Sequence, residues 1–188
     1  MENQDLHIHT IFSSGDGALV PQQTPQLIAE IKHAKVIGIS DHFEYIRTYR
    51  FEEYRDVLRS LGLKVGTEVD GSRLVSEAVS LDFDYYIYHC RNEKSEYSAI
   101  QEFLNTGKPL IIAHPYAMGT NLDKIPQSCY VEINNRYIWR YDWRNYFSEH
   151  LKKFRYILSS DAHQPHWLSQ HVARYVAEEL GIKETIIF

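Results

Sequence analysis

Short apolar runs alternate with amphipathic stretches along the whole chain. The runs are rich in Val, Ile, Leu and Tyr and are bounded by polar residues, a pattern typical of strands that are covered on both faces. The pattern predicts seven strands, at Asp5–His9, Val36–Ser40, Lys64–Glu68, Asp84–Tyr88, Leu110–Ala113, Tyr130–Asn134 and Tyr156–Ser160.

Helical patterns lie between most of these runs. Thr24 precedes Pro25, which predicts a helix that has Thr24 as its N-cap and runs to about His33. The remaining predicted helices are Phe51–Ser60, Asp70–Ser80, Ser95–Asn105, Trp143–Lys153 and Leu168–Leu180. Alternating strands and helices predict an α/β fold with a parallel sheet, but the pattern alone does not distinguish an open doubly wound sheet from a closed barrel.

Length and composition narrow the class of protein. A chain of 188 residues with 44% hydrophobic and 24% charged residues is expected to form one globular domain. No stretch approaches the roughly 18 apolar residues that span a membrane, and the N-terminus lacks the pattern of a signal peptide. Cys90 and Cys129 are the only cysteines, which favours reduced thiols in the cytoplasm. The net charge of −5 argues against binding of long nucleic acid.

Histidines and carboxylates lie at or just past the ends of six of the seven predicted strands. In a parallel α/β fold the carboxyl ends of the strands share one face, which is where active sites lie. In chain order these residues are His7, His9, Asp41, His42, Glu68, His89, His114, Asp161 and His163.

The residue types in this set predict a metal centre. His7 and His9 are two residues apart, as are Asp161 and His163, so each pair points to one side of an extended chain. Imidazole and carboxylate ligands without thiolates suit Zn, Mn or Fe. The set is too large for one ion, so we expect two or three divalent ions, with Glu68 as the bridging ligand.

Each of these histidines also has a structural explanation. A single histidine at a strand end is more often a hydrogen-bonded structural residue than a ligand, but so many on one predicted face favour metal binding. The histidines in helical or loop patterns are predicted to be structural or solvated, and Cys90 is predicted to be a buried thiol and not a ligand. These other histidines are His33, His150, His166 and His171.

Six segments together resemble the PHP (polymerase and histidinol phosphatase) family. In the family's order they read DLHIHT, GISDHF, VGTEVD, YHC, IIAHPY and ILSSDAH, and they extend from Asp5 to His163. The resemblance implies a single PHP-like catalytic domain over residues 1–188, folded as a distorted, TIM-like (β/α)7 barrel. It also implies a ninth ligand in the loop after the first strand, where Asp16 stands between two glycines.

The same resemblance implies how the ligands divide among three ions, with Glu68 shared between the first two. The implied groups are His7, His9, Glu68 and Asp161; Glu68, His89 and His114; and Asp16, His42 and His163.

The expected chemistry is hydrolysis of a phosphate ester by a metal-activated water. The catalytic candidates are Asp161, His163 and Glu68, and the sequence leaves open whether Asp161 or a histidine relays the proton. Phosphate commonly also needs a guanidinium, and Arg91 and Arg136 are the candidates, although each is equally compatible with a surface position.

Several neighbouring residues have expected supporting roles. Asp41 is expected to orient a ligand imidazole, and Asn134 and Asn135 to orient substrate or ligands. Aromatic residues near the strand ends are expected either to line the mouth or to pack against the barrel rim. These are Tyr45, Tyr116, Tyr137 and Trp139.

The leading functional hypothesis is a phosphomonoesterase acting on a small phosphorylated metabolite, such as histidinol phosphate or a nucleotide. A phosphodiesterase or exonuclease is the alternative among phosphoesterases, and an amidohydrolase is a third enzyme class with similar ligand motifs. A non-catalytic metal-binding regulatory module would predict gaps in the ligand set, and none is seen. The oligomeric state and the exact substrate stay open.

Overall fold

Seven parallel strands form one sheet in which each strand pairs with the next in sequence. The computed structural model describes residues 1–188. The spatial order of the strands, β1 to β7, is the same as their order in the sequence, and every pairing is parallel. The strands are β1 (Glu2–Asp5), β2 (Ala34–Ile39), β3 (Lys64–Asp70), β4 (Tyr85–His89), β5 (Leu110–Ile112), β6 (Tyr130–Asn134) and β7 (Arg155–Ser159).

The two outer strands approach each other and nearly close the sheet into a barrel. Beyond β1 and β7, Ile8 forms a parallel bridge with Ala162, and the His9 backbone N–H donates to the Ala162 carbonyl at 2.9 Å. The predicted α/β class and the (β/α)7 barrel are thus confirmed, and the open sheet that the pattern allowed is excluded.

The helices connect successive strands and cover the outside of the barrel. They are α1 (Pro25–Ile31), α2 (Phe43–Ile46), α3 (Arg50–Ser60), α4 (Val75–Ala78), α5 (Lys94–Asn105), α6 (Pro115–Met118), α7 (Trp143–Phe147) and α8 (His171–Glu179). The larger apolar core lies between them and the outward faces of the strands. None of these helices combines the length and the apolar composition needed to cross a bilayer.

Three predicted elements differ from the observed ones. The first strand ends at Asp5, so the segment with His7 and His9 lies past its end. The helix predicted over Trp143–Lys153 ends at Phe147 and continues as turns. The stretch predicted as one helix, Asp70–Ser80, contains only a 3-10 turn followed by α4.

The interior of the barrel is filled at its amino-terminal end by the ring of Tyr85. Its hydroxyl donates to the Leu6 carbonyl at 2.6 Å. Gly38 and Gly66 face this ring, and a Cβ atom at either position would collide with it. Ile87 and Ile157 pack in the same small cluster. The interior is therefore open only at the carboxyl ends of the strands.

The C-terminal segment covers the same, amino-terminal end of the barrel, beside β1 and β7. The Thr185 backbone N–H donates to the Tyr156 carbonyl at 2.7 Å. The buried Gln4 side chain donates to the Thr185 carbonyl at 2.6 Å and accepts from the Ile187 N–H at 2.9 Å. One side chain of β1 thus connects the first strand to the end of the chain.

Candidate metal centre

Five imidazoles surround the buried carboxylate of Glu68 on β3. Each comes from the carboxyl end of a strand or from the segment just beyond it, so the barrel topology alone brings them to one face. They are His7, His9, His42, His89 and His114.

The first group of predicted ligands converges on one point. His7 Nε2 lies 3.1 Å from His9 Nε2 and 3.1 Å from Glu68 Oε1. Asp161 Oδ1 lies 3.6 Å from His9 Nε2 and 3.8 Å from His7 Nε2. Ligand atoms bound at about 2.0–2.2 Å to one tetrahedral ion lie roughly 3.3–3.6 Å apart, so this spacing suits one shared cation.

The second group meets the same carboxylate at Oε1, the oxygen that His7 also approaches. Glu68 Oε1 lies 2.5 Å from His89 Nε2 and 3.7 Å from His114 Nε2. The two imidazole nitrogens are 3.1 Å apart. Glu68 therefore contacts both groups, as expected of a bridging ligand.

The third group contains Asp16, which the loop sequence predicted. Its Oδ2 lies 2.7 Å from His163 Nε2 and 3.2 Å from His42 Nε2. Hydrogen bonds from these two imidazoles hold the pKa of the Asp16 carboxyl below its usual range, and the bond from His163 has the larger effect. All nine predicted ligands thus lie in one cluster.

The donor set fits cations better than it fits hydrogen bonds among its own members. His7 and His9 present two Nε2 atoms to each other, as do His89 and His114, and each such contact can hold at most one proton. Glu68 Oε1 lies among the Nε2 atoms of His7, His89 and His114. A cation that accepts the lone pairs of both nitrogens and of this oxygen would satisfy all of them, and the N and O donors suit Zn, Mn or Fe.

The carboxylates make the site strongly attractive to positive charge. Burial would lower the pKa of His42, but the charge of Glu68 and a hydrogen bond to Asp16 raise it to about 11. Burial would likewise lower the pKa of His89, but the charge of Glu68 and a hydrogen bond to Asp70 raise it to about 9. Without metal, these imidazoles hold protons in the place of the ions.

Glu132 on β6 is a part of the site that the sequence reasoning missed. It is fully buried, and its Oε1 accepts from His7 Nδ1 at 2.7 Å, which leaves His7 Nε2 free to bind a metal. Its Oε2 accepts from the backbone N–H of His114 at 2.6 Å. Burial raises the pKa of Glu132, but the charge of His7, its hydrogen bond and the charge of His114 together lower the value to about 2. An acidic residue between Val131 and Ile133 was the signal in the sequence.

Asn134 and the backbone direct Asp161 into the cluster. Asn134 Nδ2 donates to Asp161 Oδ2 at 3.0 Å. Asp161 has a φ of 53° and His114 a φ of 20°, both in the left-handed region that residues other than glycine seldom adopt. Strain of this kind is kept where a side chain must point in one direction, which fits the role of these two residues as ligands.

Asp41 does not orient an imidazole, contrary to expectation. Its carboxylate accepts from the Thr10 N–H at 2.7 Å, from the Thr10 hydroxyl at 2.6 Å and from the Ser13 hydroxyl at 2.6 Å. Burial raises its pKa to about 6 in spite of these bonds. Asp41 thus holds the loop that follows His9 and carries Asp16.

The two candidate arginines differ in position. Arg136 Nη1 lies 3.4 Å from Asp161 Oδ1 and 3.2 Å from His163 Nε2, and its side chain lines the cavity above the cluster. Arg91 does not line that cavity, because Asp70 at 2.7 Å and Glu96 hold its guanidinium.

The other residues near the mouth divide between lining and packing. The ring of Tyr137 lies 4.9 Å from that of His114 and lines the cavity. Tyr116 is buried, and its hydroxyl accepts from the Asn134 N–H at 3.0 Å. Asn135 is directed away from the cluster, since its side chain accepts from backbone N–H groups at the start of α8.

In comparisons with known proteins, neither a family model nor a curated sequence matches this chain.

Proposed function

We propose that this protein is a metal-dependent phosphoesterase that hydrolyses a phosphate monoester of a small metabolite. The observation that carries the proposal is the convergence of all nine predicted ligands on and around Glu68, with the guanidinium of Arg136 beside them. A multi-ion centre with an adjacent guanidinium suits the negative charge of a transferring phosphoryl group.

Two or three divalent ions, Zn, Mn or Fe, would supply a deprotonated water near neutral pH and neutralise charge on the phosphate. The first ion would be held by His7, His9, Glu68 and Asp161. The second ion would be held by Glu68, His89 and His114, and the third by Asp16, His42 and His163. In the net reaction the water oxygen bonds to phosphorus, the ester P–O bond breaks, and the leaving oxygen takes up a proton.

The protein's own residues contribute binding and proton handling. Arg136 donates to non-bridging phosphate oxygens, because it is the one guanidinium that lines the metal cavity. His163 and Asp161 lie beside it and border the same cavity, which makes them the candidates for delivering the proton to the leaving oxygen.

The size of the cavity is compatible with a small monoester. Its volume is about 230 Å³, and its lining consists almost entirely of the predicted ligands with Arg136, Tyr137 and Met118. A cavity of this size accommodates a phosphoryl group beside the candidate ligands and Arg136.

Membership of the PHP family is part of the proposal. It is supported by the six ordered sequence segments together with the barrel that their strands form. The corresponding activity would be that of a histidinol-phosphatase-like enzyme or of a nucleotide phosphatase.

Phosphate release from a panel of esters tests the proposal. The protein would be loaded with Mn or Zn and given p-nitrophenyl phosphate, histidinol phosphate, nucleotides and a diester whose alcohol product is followed. We expect chelator-sensitive release from monoesters, which His7→Ala abolishes and the exposed Glu30→Gln does not change. A protein with its metals bound that releases no phosphate from any monoester would contradict the proposal, and diester turnover alone would replace it with the phosphodiesterase.

We further propose a reducing compartment, the cytoplasm, for this protein. Cys90 and Cys129 are both free and buried. Burial raises the pKa of each thiol to about 12, so both stay protonated and unreactive.

A further inference from the structure

A second cavity adjoins the metal centre on the other side of Arg136. Its volume is about 370 Å³, and it lies between the 3-10 turn Ile138–Arg140 after β6 and the 3-10 turn Pro165–Trp167 after β7. Arg136 lines both cavities, so a molecule bound in one can extend to the other around this side chain.

The second cavity has a guanidinium without an acidic partner. Arg140 packs over the rings of Trp139, at 4.8 Å, and Tyr137, at 5.4 Å, and it forms no salt bridge. Arg144, four residues on, instead pairs with Glu179 at 2.7 Å. An unpaired guanidinium held at a cavity wall by aromatic rings is suited to bind an anion.

Two indole rings, those of Trp139 and Trp167, stand in the otherwise mainly polar lining of this cavity. The Arg136 guanidinium lies 5.5 Å from the ring centre of Trp167, whose own ring is 6.3 Å from that of the predicted ligand His163. Trp139 is 61% exposed, yet its indole N–H donates to the Arg136 carbonyl at 3.0 Å, which fixes its orientation. Large flat rings beside a small cavity favour a flat ligand that stacks on them.

We propose that this cavity binds the leaving group of the phosphate ester, and that this group is a flat aromatic ring carrying a second negative charge. The proposal rests on the proposed function, since it assigns the remainder of the substrate to the cavity beside the metals. Arg136 contacts the phosphate, Trp167 and Trp139 contact the ring, and Arg140 contacts the second charge.

Four phosphate esters separate the contributions of the ring and the charge. Two are aryl esters, phenyl phosphate and 4-carboxyphenyl phosphate, and two are alkyl esters, butyl phosphate and 4-phosphonooxybutanoate. Within each pair only the second ester carries a carboxylate. For each ester, the kinetic constants of a variant are compared with those of the wild-type protein. This ratio cancels the intrinsic reactivity of the leaving group.

Arg140→Gln is expected to raise KM for 4-carboxyphenyl phosphate roughly tenfold, the worth of one hydrogen bond to a charged group, and to leave phenyl phosphate unchanged. Trp167→Leu is expected to lower kcat/KM for both aryl esters roughly fivefold more than for the alkyl esters, which report any effect through Arg136. Arg144→Gln, which removes a guanidinium outside the cavity, is the matched control. Equal losses for all four esters in Arg140→Gln, or no loss for any, would overturn the proposal.

Binding of non-hydrolysable phosphonates provides a readout that does not need turnover. Phenylphosphonate and 4-carboxyphenylphosphonate would be titrated into the metal-loaded protein, with quenching of tryptophan fluorescence as the signal. Tighter binding of the carboxylated compound, lost in Arg140→Gln, supports the proposed role of this cavity. If no ester is hydrolysed in that case, only the proposed function fails. Hydrolysis without discrimination between the two phosphonates overturns the cavity and leaves the proposed function standing.

Discussion

At the scale of single residues, the site depends on carboxylates that do not themselves need to bind metal. Glu132 fixes the tautomer of His7 and the backbone of His114, and Asp41 fixes the loop that leads to Asp16. Outer carboxylates of this kind raise the basicity of ligand imidazoles and limit their movement.

Replacing Glu132 with glutamine tests this role. The amide can still accept from His7 Nδ1, but it is neutral, and its NH2 group cannot accept from the His114 N–H. We therefore expect Glu132→Gln to weaken metal binding by roughly 10–100-fold. Titration with Zn against a competing chelator measures this effect, and Glu30→Gln on the exposed face of α1 is the control. Wild-type affinity in Glu132→Gln would mean that His7 is oriented by packing alone.

Protons would compete with metal ions for the candidate ligands. His42 and His89, with pKa values of about 11 and about 9, are protonated in the metal-free protein at neutral pH and must lose those protons to bind. We expect proton release on metal binding, detected calorimetrically in buffers of different ionisation enthalpy. Heats that do not depend on the buffer would contradict this expectation.

The same two groups give the metal-free protein a pH-dependent stability. Since their folded-state pKa values lie above the ordinary 6.5, their contribution is complete below that value and is lost as pH rises through about 9 and about 11. The thermal midpoint of the metal-free protein should therefore fall between neutral and alkaline pH, while the stabilisation that added Zn provides should grow.

At the scale of elements, the barrel depends on a match between one large residue and two glycines. Tyr85 on β4 occupies the interior at the level of Gly38 on β2 and Gly66 on β3. The neighbouring strands can close around the ring because two of their inward positions have no side chain.

Gly66→Ala is expected to destabilise the fold by about 1–3 kcal/mol, because the added methyl group collides with the Tyr85 ring. Tyr85→Val in the same chain should recover part of this loss, as the smaller side chain makes room. Denaturant unfolding of the single and double variants measures the coupling. Gly17→Ala is the control, since a Cβ there meets no neighbour. Strictly additive effects of the two substitutions would mean that the ring and Gly66 do not interact.

The sequence predicted six of the seven strands well and the shorter helices poorly. Tyr130–Asn134 is a strand over the predicted residues, because a buried parallel strand is uniformly apolar apart from the inward-facing positions of its site. The helix expected over Trp143–Lys153 stops after Phe147, since its later residues pack as turns against the barrel and no local signal marks that end. Contacts between distant residues decided those boundaries.

The clustering of the candidate ligands was predictable for the same reason as the strands. His114 and Asp161 follow apolar runs, and the parallel topology brings all such ends to one face. Glu132 was not recognised because it lies inside a strand, where the pattern suggests only a break in hydrophobicity. The direction of Arg91 toward Asp70 and Glu96 could not be predicted, because it depends on charges that meet only in the folded chain.

At the scale of the whole molecule, the two ends of the chain close the barrel together. Gln4 connects β1 to the segment with Thr185 and Ile187, and that segment pairs with β7 through Tyr156. The closure thus depends on contacts between residues nearly the full length of the chain apart, so we expect it to form late in folding.

Gln4→Leu removes both side-chain hydrogen bonds of this closure. Because it leaves the Thr185 carbonyl and the Ile187 N–H without their partner, we expect a loss of about 1–3 kcal/mol in the free energy of unfolding. We also expect faster amide exchange at Ile187. The exposed Gln22→Leu is the control. Unchanged exchange at Ile187 in Gln4→Leu would show that packing alone holds the segment.

The Tyr85 ring has a consequence for the order of events in the proposed reaction. Because it obstructs the barrel below the metal cluster, the two products share a single exit at the mouth. The alcohol, nearer the mouth, departs first, and the phosphate on the ions departs last. Inorganic phosphate should then act as a competitive inhibitor and the alcohol as a mixed one, which product-inhibition kinetics would measure.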